Sequence, residues 1–291
     1  CDSNENQSSI FHFLVCLTVI LVPLIIFGLL GNTLTLLVVW LRPHMRSSAY
    51  LYLSSMAVSD LLILLLLALD VYKFWTGWKL GDFSYLLTVF LSQCCTFCTI
   101  LHITFLSLER YLVFCWPITA MTLVTRRRTR ALIGCLWVGA AVSAAPFLAI
   151  FMMNSFSSGL WLATIILTNL YVLVPMCILG LVYILIGRTL RLRPQSSRKD
   201  KSHRHAVKML GVIVLAFVLC WLPFHVGRTI FSLSLGNSLF IYYLSQYFNL
   251  VSSVLFYLSA AINPLLYNLM STRYRHAVRS LVHTHCLTPS H

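Results

Sequence analysis

AVKMLGVIVLAFVLCWLPFHVGRTIF, residues Ala206–Phe231, decides the architecture. The run is apolar over more than twenty residues, with Lys208 near one end and Arg228 near the other. At ~1.5 Å rise per residue such a run crosses a ~30 Å hydrocarbon core as a helix. Pro223 lies inside it, directly after Cys220-Trp221-Leu222. A proline within a helix removes one backbone hydrogen bond and crowds the preceding turn, so a kink is expected there. A kinked helix among straight neighbours makes a plausible two-position element.

The rest of the chain reads the same way. Hydrophobic residues make up 59% of the 291, charged residues only 10%, and mean hydropathy is +0.86. Soluble domains carry roughly a quarter charged residues, so that class is excluded. Seven apolar segments follow one another: Ile10–Trp40, Ala49–Phe74, Phe83–Cys115, Arg130–Phe151, Leu160–Leu190, Ala206–Leu233 and Leu239–Met270. Backbone groups in lipid must be satisfied within the segment, which leaves helix as the open choice. The connections Arg42–Ser48, Thr76–Asp82, Trp116–Thr129, Met152–Gly159, Arg191–His205 and Ser234–Ser238 leave no room for a soluble domain. Beyond the last segment, Thr272–Val282 is basic and amphipathic, with Tyr274, Ala277, Val278, Leu281 and Val282 at helical spacing. It reads as a helix on the inner membrane surface, in contact with membrane lipid. The expected division is an outer segment over residues 1–9, a membrane domain over 10–271, and a surface helix with tail over 272–291.

The net charge of +14 would point to nucleic acid in a soluble chain. Here its placement excludes that. All of the 21 Lys and Arg except Lys73, Lys79 and Arg228 fall on one side of the predicted spans. By the positive-inside rule that side is cytoplasmic and the N-terminus is outside. Asn6-Gln7-Ser8 is a glycosylation acceptor pattern on the expected outer face. The chain begins at Cys1-Asp2-Ser3 without an initiator Met, the look of a trimmed sequence. Cys16, Cys94, Cys95, Cys98, Cys115, Cys135, Cys177 and Cys220 lie in apolar runs and read as packing thiols. Cys1 and Cys286 remain, on opposite sides; an acyl group on Cys286 and an unmodified thiol are both open readings.

Polar residues stranded in the spans are the functional signals, because a charge at mid-membrane costs ~2.5–3.5 kcal/mol. Asp60 sits in the second span, Asn32 in the first and Asn263 in the seventh. Two readings are open: hydrogen bonds from helix to helix, or a sodium site in which Thr99 and Ser259 add oxygens to Asp60 and Asn263. Glu109-Arg110-Tyr111 closes the third span. It is either an exposed ion pair of little worth or a partly desolvated Arg110 that Glu109 holds until a partner docks. His102 and His225 read as packed neutral histidines, without metal-ligand spacing between them.

Together these residues form an ordered set. Gly31-Asn32, the block LYLSSMAVSDLL at Leu51–Leu62, Glu109–Tyr111, Trp137, Pro175 with Tyr183, CWLP at Cys220–Pro223 and NPLLY at Asn263–Tyr267 fall on spans one to seven in turn. That pattern resembles the class A (rhodopsin-like) G-protein-coupled receptors over essentially the whole chain. SLERYL, VKMLGVIVLAFVLCWLPFHVGR, LSQYFNLVS and LFYLSAAINPLLYNLMS are similar to the ghrelin and motilin receptor group, and Val124–Ile133 leans towards its motilin branch.

The resemblance implies an all-α membrane protein, a seven-transmembrane-helix bundle with a short amphipathic helix 8, in the plasma membrane with an extracellular N-terminus. It implies no enzyme and no cofactor. The partners it implies are a peptide hormone outside and a heterotrimeric G protein inside, usually of the Gq class with calcium signalling. By the same resemblance Arg110, Tyr183 and Tyr267 form the inner switch, Ile100, Pro175 and Phe217 the mid-membrane connector, and Trp221 beside Pro223 the kink sensor. Trp78 matches the tryptophan of the first outer loop. Arg228, Gln93, Phe224, Asp70 and His225 are the residues expected around the ligand.

The sequence departs from the family's pattern at the outer face. Aligned on Gly81 and Thr96, Tyr85 stands where the family has the cysteine that is bonded to the second outer loop. That loop, Met152–Gly159, is short and has no cysteine, and Gln93 stands where the family has the acid paired with the sixth-span arginine. The alternative to a working hormone receptor is therefore a trimmed, engineered or degenerate one that folds without normal ligand control. A transporter is disfavoured because no inverted repeat is visible.

Overall fold

The computed structural model describes residues 2–45, 47–76, 81–153, 159–192, 198–234 and 239–286. The side chains of Arg228, Met209, Tyr267 and Cys286 lie outside the described set. The described chain is helical: α1 Asp2–Leu41, α2 Ser48–Thr76, α3 Asp82–Cys115, α4 Pro117–Leu123, α5 Arg126–Met153, α6 Gly159–Leu192, α7 Arg198–Ser234, α8 Leu239–Met270 and α9 Thr272–Cys286. A single 3-10 turn, Pro43–Met45, links α1 to α2. The seven long helices carry the seven apolar segments of the sequence. Five of them are long and apolar enough to cross a membrane within the described residues. The described parts of α7 and α8 contribute the apolar stretches Gly211–Gly227 and Leu250–Leu266.

The bundle is built around α3, which touches α2, α4, α5, α6 and α7. Its surface is apolar, and its largely apolar core also holds polar side chains. Val19, Phe27, Leu30, Val138, Val142, Leu181 and Leu219 are exposed, whereas Asn32, Ser59, Asp60, Thr99 and Asn263 are buried. Lipid solvates the first group, and the second can be satisfied only by other helices. Small residues permit the close approaches this requires. A Cβ built on Gly28 of α1 would stand 3.0 Å from the Ala261 Cβ and 3.1 Å from its Cα on α8.

Three helix boundaries differ from the hydropathy reading. α1 starts at Asp2 rather than near Ile10, so residues 2–9 extend the first helix. α7 starts at Arg198, inside the stretch that hydropathy assigns to a linker. The connection Trp116–Thr129 contains α4, with Pro117 at its first turn, where a missing N–H costs nothing. Hydropathy marks where a helix leaves lipid, not where it ends. α9 docks by the apolar face that the sequence displays: Tyr274, Ala277 and Leu281 are buried. The Tyr274 hydroxyl lies 3.1 Å from Thr35 Oγ1 of α1, so α9 is fastened to the bundle as well as being amphipathic.

Candidate functional site

Helical spacing places Phe217, Trp221, Phe224 and His225 on one side of α7. Trp221 is 1% exposed and touches rings from two helices. Its ring lies 5.0 Å from Phe217 at 34°, 5.0 Å from Phe256 of α8 at 71°, and 6.0 Å from His225 at 16°. Phe224 stacks on Phe256 at 4.6 Å and 22°. The indole Nε1–H of Trp221 donates to Ser259 Oγ at 2.9 Å, and Ser259 in turn donates to Phe256 O at 2.7 Å. The aromatic cluster and the polar centre therefore meet at one residue, Ser259. Ile100, Pro175 and Phe217 are all buried, on α3, α6 and α7.

Below this cluster lies the polar centre. Asn263 Nδ2 donates to Asp60 Oδ2 at 2.9 Å, joining α8 to α2. Asn32 Nδ2 donates to Ala260 O at 2.9 Å and to Gly28 O at 2.9 Å, joining α1 to α8. Ser59 and Thr99 share a 2.9 Å hydrogen bond between α2 and α3. Thr99, Ser259 and Asn263 line one small cavity of about 10 Å³, together with Phe217 and Trp221. The helix-to-helix reading of the stranded polar residues thus holds in the geometry. Three of the four oxygen-bearing residues of the sodium reading line that cavity, and the fourth, Asp60, is bonded to Asn263.

At the other end of α3, Arg110 Nη2 donates to Glu109 Oε1 at 2.9 Å. Glu109 also accepts from Ser48 Oγ at the start of α2. Glu109 is 7% exposed and the Arg110 side chain 22%, so this is no freely solvated surface pair. The Arg110 Nε is buried without a partner. The Tyr183 hydroxyl of α6 is buried and lies towards Ser107 and Arg110. Gly211 of α7 leaves room for the Tyr183 ring, whose Cε1 would be 3.5 Å from a Cβ there. The Arg110 Nε is thus a donor left without an acceptor in the protein.

The outer residues are less gathered. Gln93 and His225 are buried, and Phe224 is half-buried within the aromatic cluster. Asp70 Oδ1 accepts from Lys73 Nζ at 2.7 Å, so the acid that the sequence offers to Arg228 is shared with a lysine one turn away. The expected roles of Arg228 and Tyr267 fall on side chains outside the described residues, and that of Trp78 on a residue outside them. Cys16, Cys94, Cys95, Cys98, Cys115, Cys135, Cys177 and Cys220 are free thiols, and Tyr85 is exposed at the outer start of α3.

Some contributors went unread in the sequence. Phe256 precedes Ser259 by three and Asn263 by seven, a helical face that was legible in LFYLSAAINP. Ser48 carried no signal, because its bond to Glu109 spans 61 residues. His102 is fixed by a bond of its Nδ1 to Cys98 O at 2.6 Å and by edge contacts with Tyr52 and Trp137, as a packed histidine should be.

Comparison with known proteins places this geometry. Residues 31–267 match the sequence model of the 7 transmembrane receptor (rhodopsin family). The growth hormone secretagogue receptor type 1 of Sus scrofa is 43% identical, covering 90% of this chain and 79% of its own length. The human motilin receptor is 37% identical, covering 97% and 84%, and the Mus musculus neurotensin receptor type 1 is 31% identical, covering 99% and 80%. The motilin receptor alignment runs over 348 positions, more than the 291 residues of this chain. That relative therefore carries residues with no counterpart here.

Proposed function

The chain belongs to the rhodopsin family of seven-transmembrane receptors, and from that premise we propose a hormone-driven exchange factor. Its ligand is a peptide of the growth-hormone-secretagogue and motilin type, bound at the outer face of a plasma-membrane protein whose N-terminus is extracellular. Its output is nucleotide exchange on a heterotrimeric G protein, of the Gq class. The observation that carries this reading is the Arg110 site. A part-buried arginine paired to Glu109, with an unpartnered Nε and the Tyr183 hydroxyl nearby, has a donor to offer an incoming chain. An outward swing of α7 would uncover it, and a G-protein helix would enter as a helix in a groove. Arg228, Gln93, Phe224, His225 and Asp70 are the residues proposed at the ligand, Glu109, Arg110 and Tyr111 those at the G protein, and Tyr267 the one that completes the inner switch with Arg110 and Tyr183.

The polar centre fits a sodium ion as a stabiliser of the resting state. A buried carboxylate, two hydroxyls and an amide oxygen are the hard donors such an ion takes. Asp60, Thr99, Ser259 and Asn263 would hold it, and it would supply the charge that balances Asp60.

A second reading is favoured by the outer face: a receptor-like protein that folds without normal hormone control. Tyr85, Gln93 and the short Met152–Gly159 connection all depart from the family's pattern, and the motilin receptor is longer over the aligned region. Purified chain in lipid nanodiscs, mixed with Gq and with or without motilin or ghrelin, separates the two. Hormone-dependent nucleotide exchange supports the first reading. Exchange that ignores both hormones, or no exchange at all, supports the second.

A further inference from the structure

A cavity among the described residues lies between the cytoplasmic ends of α2, α3 and α5 and the end of α4, beside the Glu109–Arg110 pair. We propose that it binds a single-chain anionic amphiphile of the inner leaflet, one acyl chain carrying a carboxylate or phosphate head. Its volume, about 510 Å³, falls among ligand sites of roughly 300–1,000 Å³. The wall is apolar towards the membrane interior, where Phe105, Leu108 and Leu132 line it. At the other end stands Arg128, exposed, in the first turn of α5. One of its N–H groups donates to Thr122 O at 2.7 Å.

The charge at that end is strongly positive. Arg126, Arg127 and Arg130 flank Arg128 in sequence, and the positive end of the α5 dipole adds to them. The acid lining the cavity, Glu109, is held by Arg110 and Ser48, so its charge is already compensated. Phe105 lies about one helical turn before Glu109 on α3, while Arg128 stands in the first turn of α5, at the basic end of that span. The apolar and cationic ends are thus ordered as an amphiphile of the cytoplasmic leaflet is ordered.

Occupancy has a consequence. Glu109 and Tyr111, the two sequence neighbours of Arg110, both line the cavity. An occupant there sets how readily Glu109 releases Arg110. This consequence rests on the receptor reading above; the binding itself does not.

The test therefore reads binding, with no G protein present. Full chain in nanodiscs of zwitterionic lipid is labelled with diazirine analogues of palmitate, of lysophosphatidate and of lysophosphatidylcholine. Label is expected on peptides covering residues 105–112 and 123–132. It should fall at least fivefold in Leu132→Trp, which fills the cavity, and in Arg128→Gln, and less than twofold in Arg126→Gln. Labelling by palmitate alone assigns a carboxylate head and by lysophosphatidate alone a phosphate head; either supports the site. Label spread evenly over the lipid-facing helices overturns it. So does equal loss in the two arginine variants, or equal labelling by the zwitterionic lipid. If Leu132→Trp does not fold, competition on the unaltered chain decides: oleate should displace the label, and its methyl ester should not.

Discussion

Asp60 shows how much rests on single side chains in this bundle. It is 2% exposed, and the Asn263 amide donates to it at 2.9 Å. Replacing Asn263 by Ala removes that donor and leaves a buried acceptor short of a partner, a loss of ~1–3 kcal/mol. The variant is expected to unfold at clearly lower temperature in detergent, and Asp60→Asn, which keeps an acceptor for the Asn263 amide, to lose less. Equal unfolding temperatures for parent and Asn263→Ala would remove Asp60 from its central role. Arg228 makes the complementary case at the outer mouth. Asp70 is shared by Lys73 and Gln93 is uncharged, and Arg228 is proposed to meet a ligand carboxylate or carbonyl. Arg228→Ala should lower hormone potency at normal surface expression, read as a rightward shift of the exchange dose–response curve. Unchanged potency would leave it as a residue that merely reaches water.

At the scale of the element, α7 is where sequence and structure speak together. Pro223 lies inside a 37-residue helix, two residues after Trp221, whose ring bridges Phe217, Phe256 and Ser259. Proline frees the carbonyl one turn earlier, so the helix is weakest beside the aromatic cluster whose repacking would turn it. The predicted movement is outward at the cytoplasmic end, away from Arg110. Spin labels at Met209 and at a site on α3 should report a longer distance when hormone and G protein are added together. Since an effector shifts only states it binds unequally, the change is expected to be larger with both than with either alone. An unaltered distance would make the kink static. Much of this was legible in the sequence because its signals are local: a proline within an apolar run, an indole two residues before it, polar residues stranded in lipid. What was not legible was long-range or masked by composition. Ser48 reaches Glu109 across 61 residues of sequence. The basic start of α7 and the connection holding α4 looked like loops, because hydropathy records the edge of lipid and not the end of the hydrogen-bond ladder.

The whole molecule poses the question of its outer face. The family's pattern ties the third span to the second outer loop by a disulfide, and loss of such a bond ordinarily costs ~2–5 kcal/mol. Here Tyr85 occupies the cysteine's position on α3, and the eight described thiols are free. Cys94, Cys95, Cys98 and Cys220 are buried, where an extracellular oxidant cannot reach them. Cys1 and Cys286 are assigned to opposite sides by the distribution of positive charge. The load of holding the bundle together therefore falls on its interior: the Asp60–Asn263 and Asn32–Ala260 bonds between helices, the close approach at Gly28 and the aromatic cluster around Trp221. None of these contacts involves a covalent crosslink, so none is sensitive to reductant. Mass spectrometry of the non-reduced protein should accordingly yield no crosslinked Cys–Cys peptide, and its unfolding temperature should be the same with and without dithiothreitol. A crosslinked peptide joining α3 to an outer segment, or a fall in unfolding temperature on reduction, would show that the outer face is tied covalently after all.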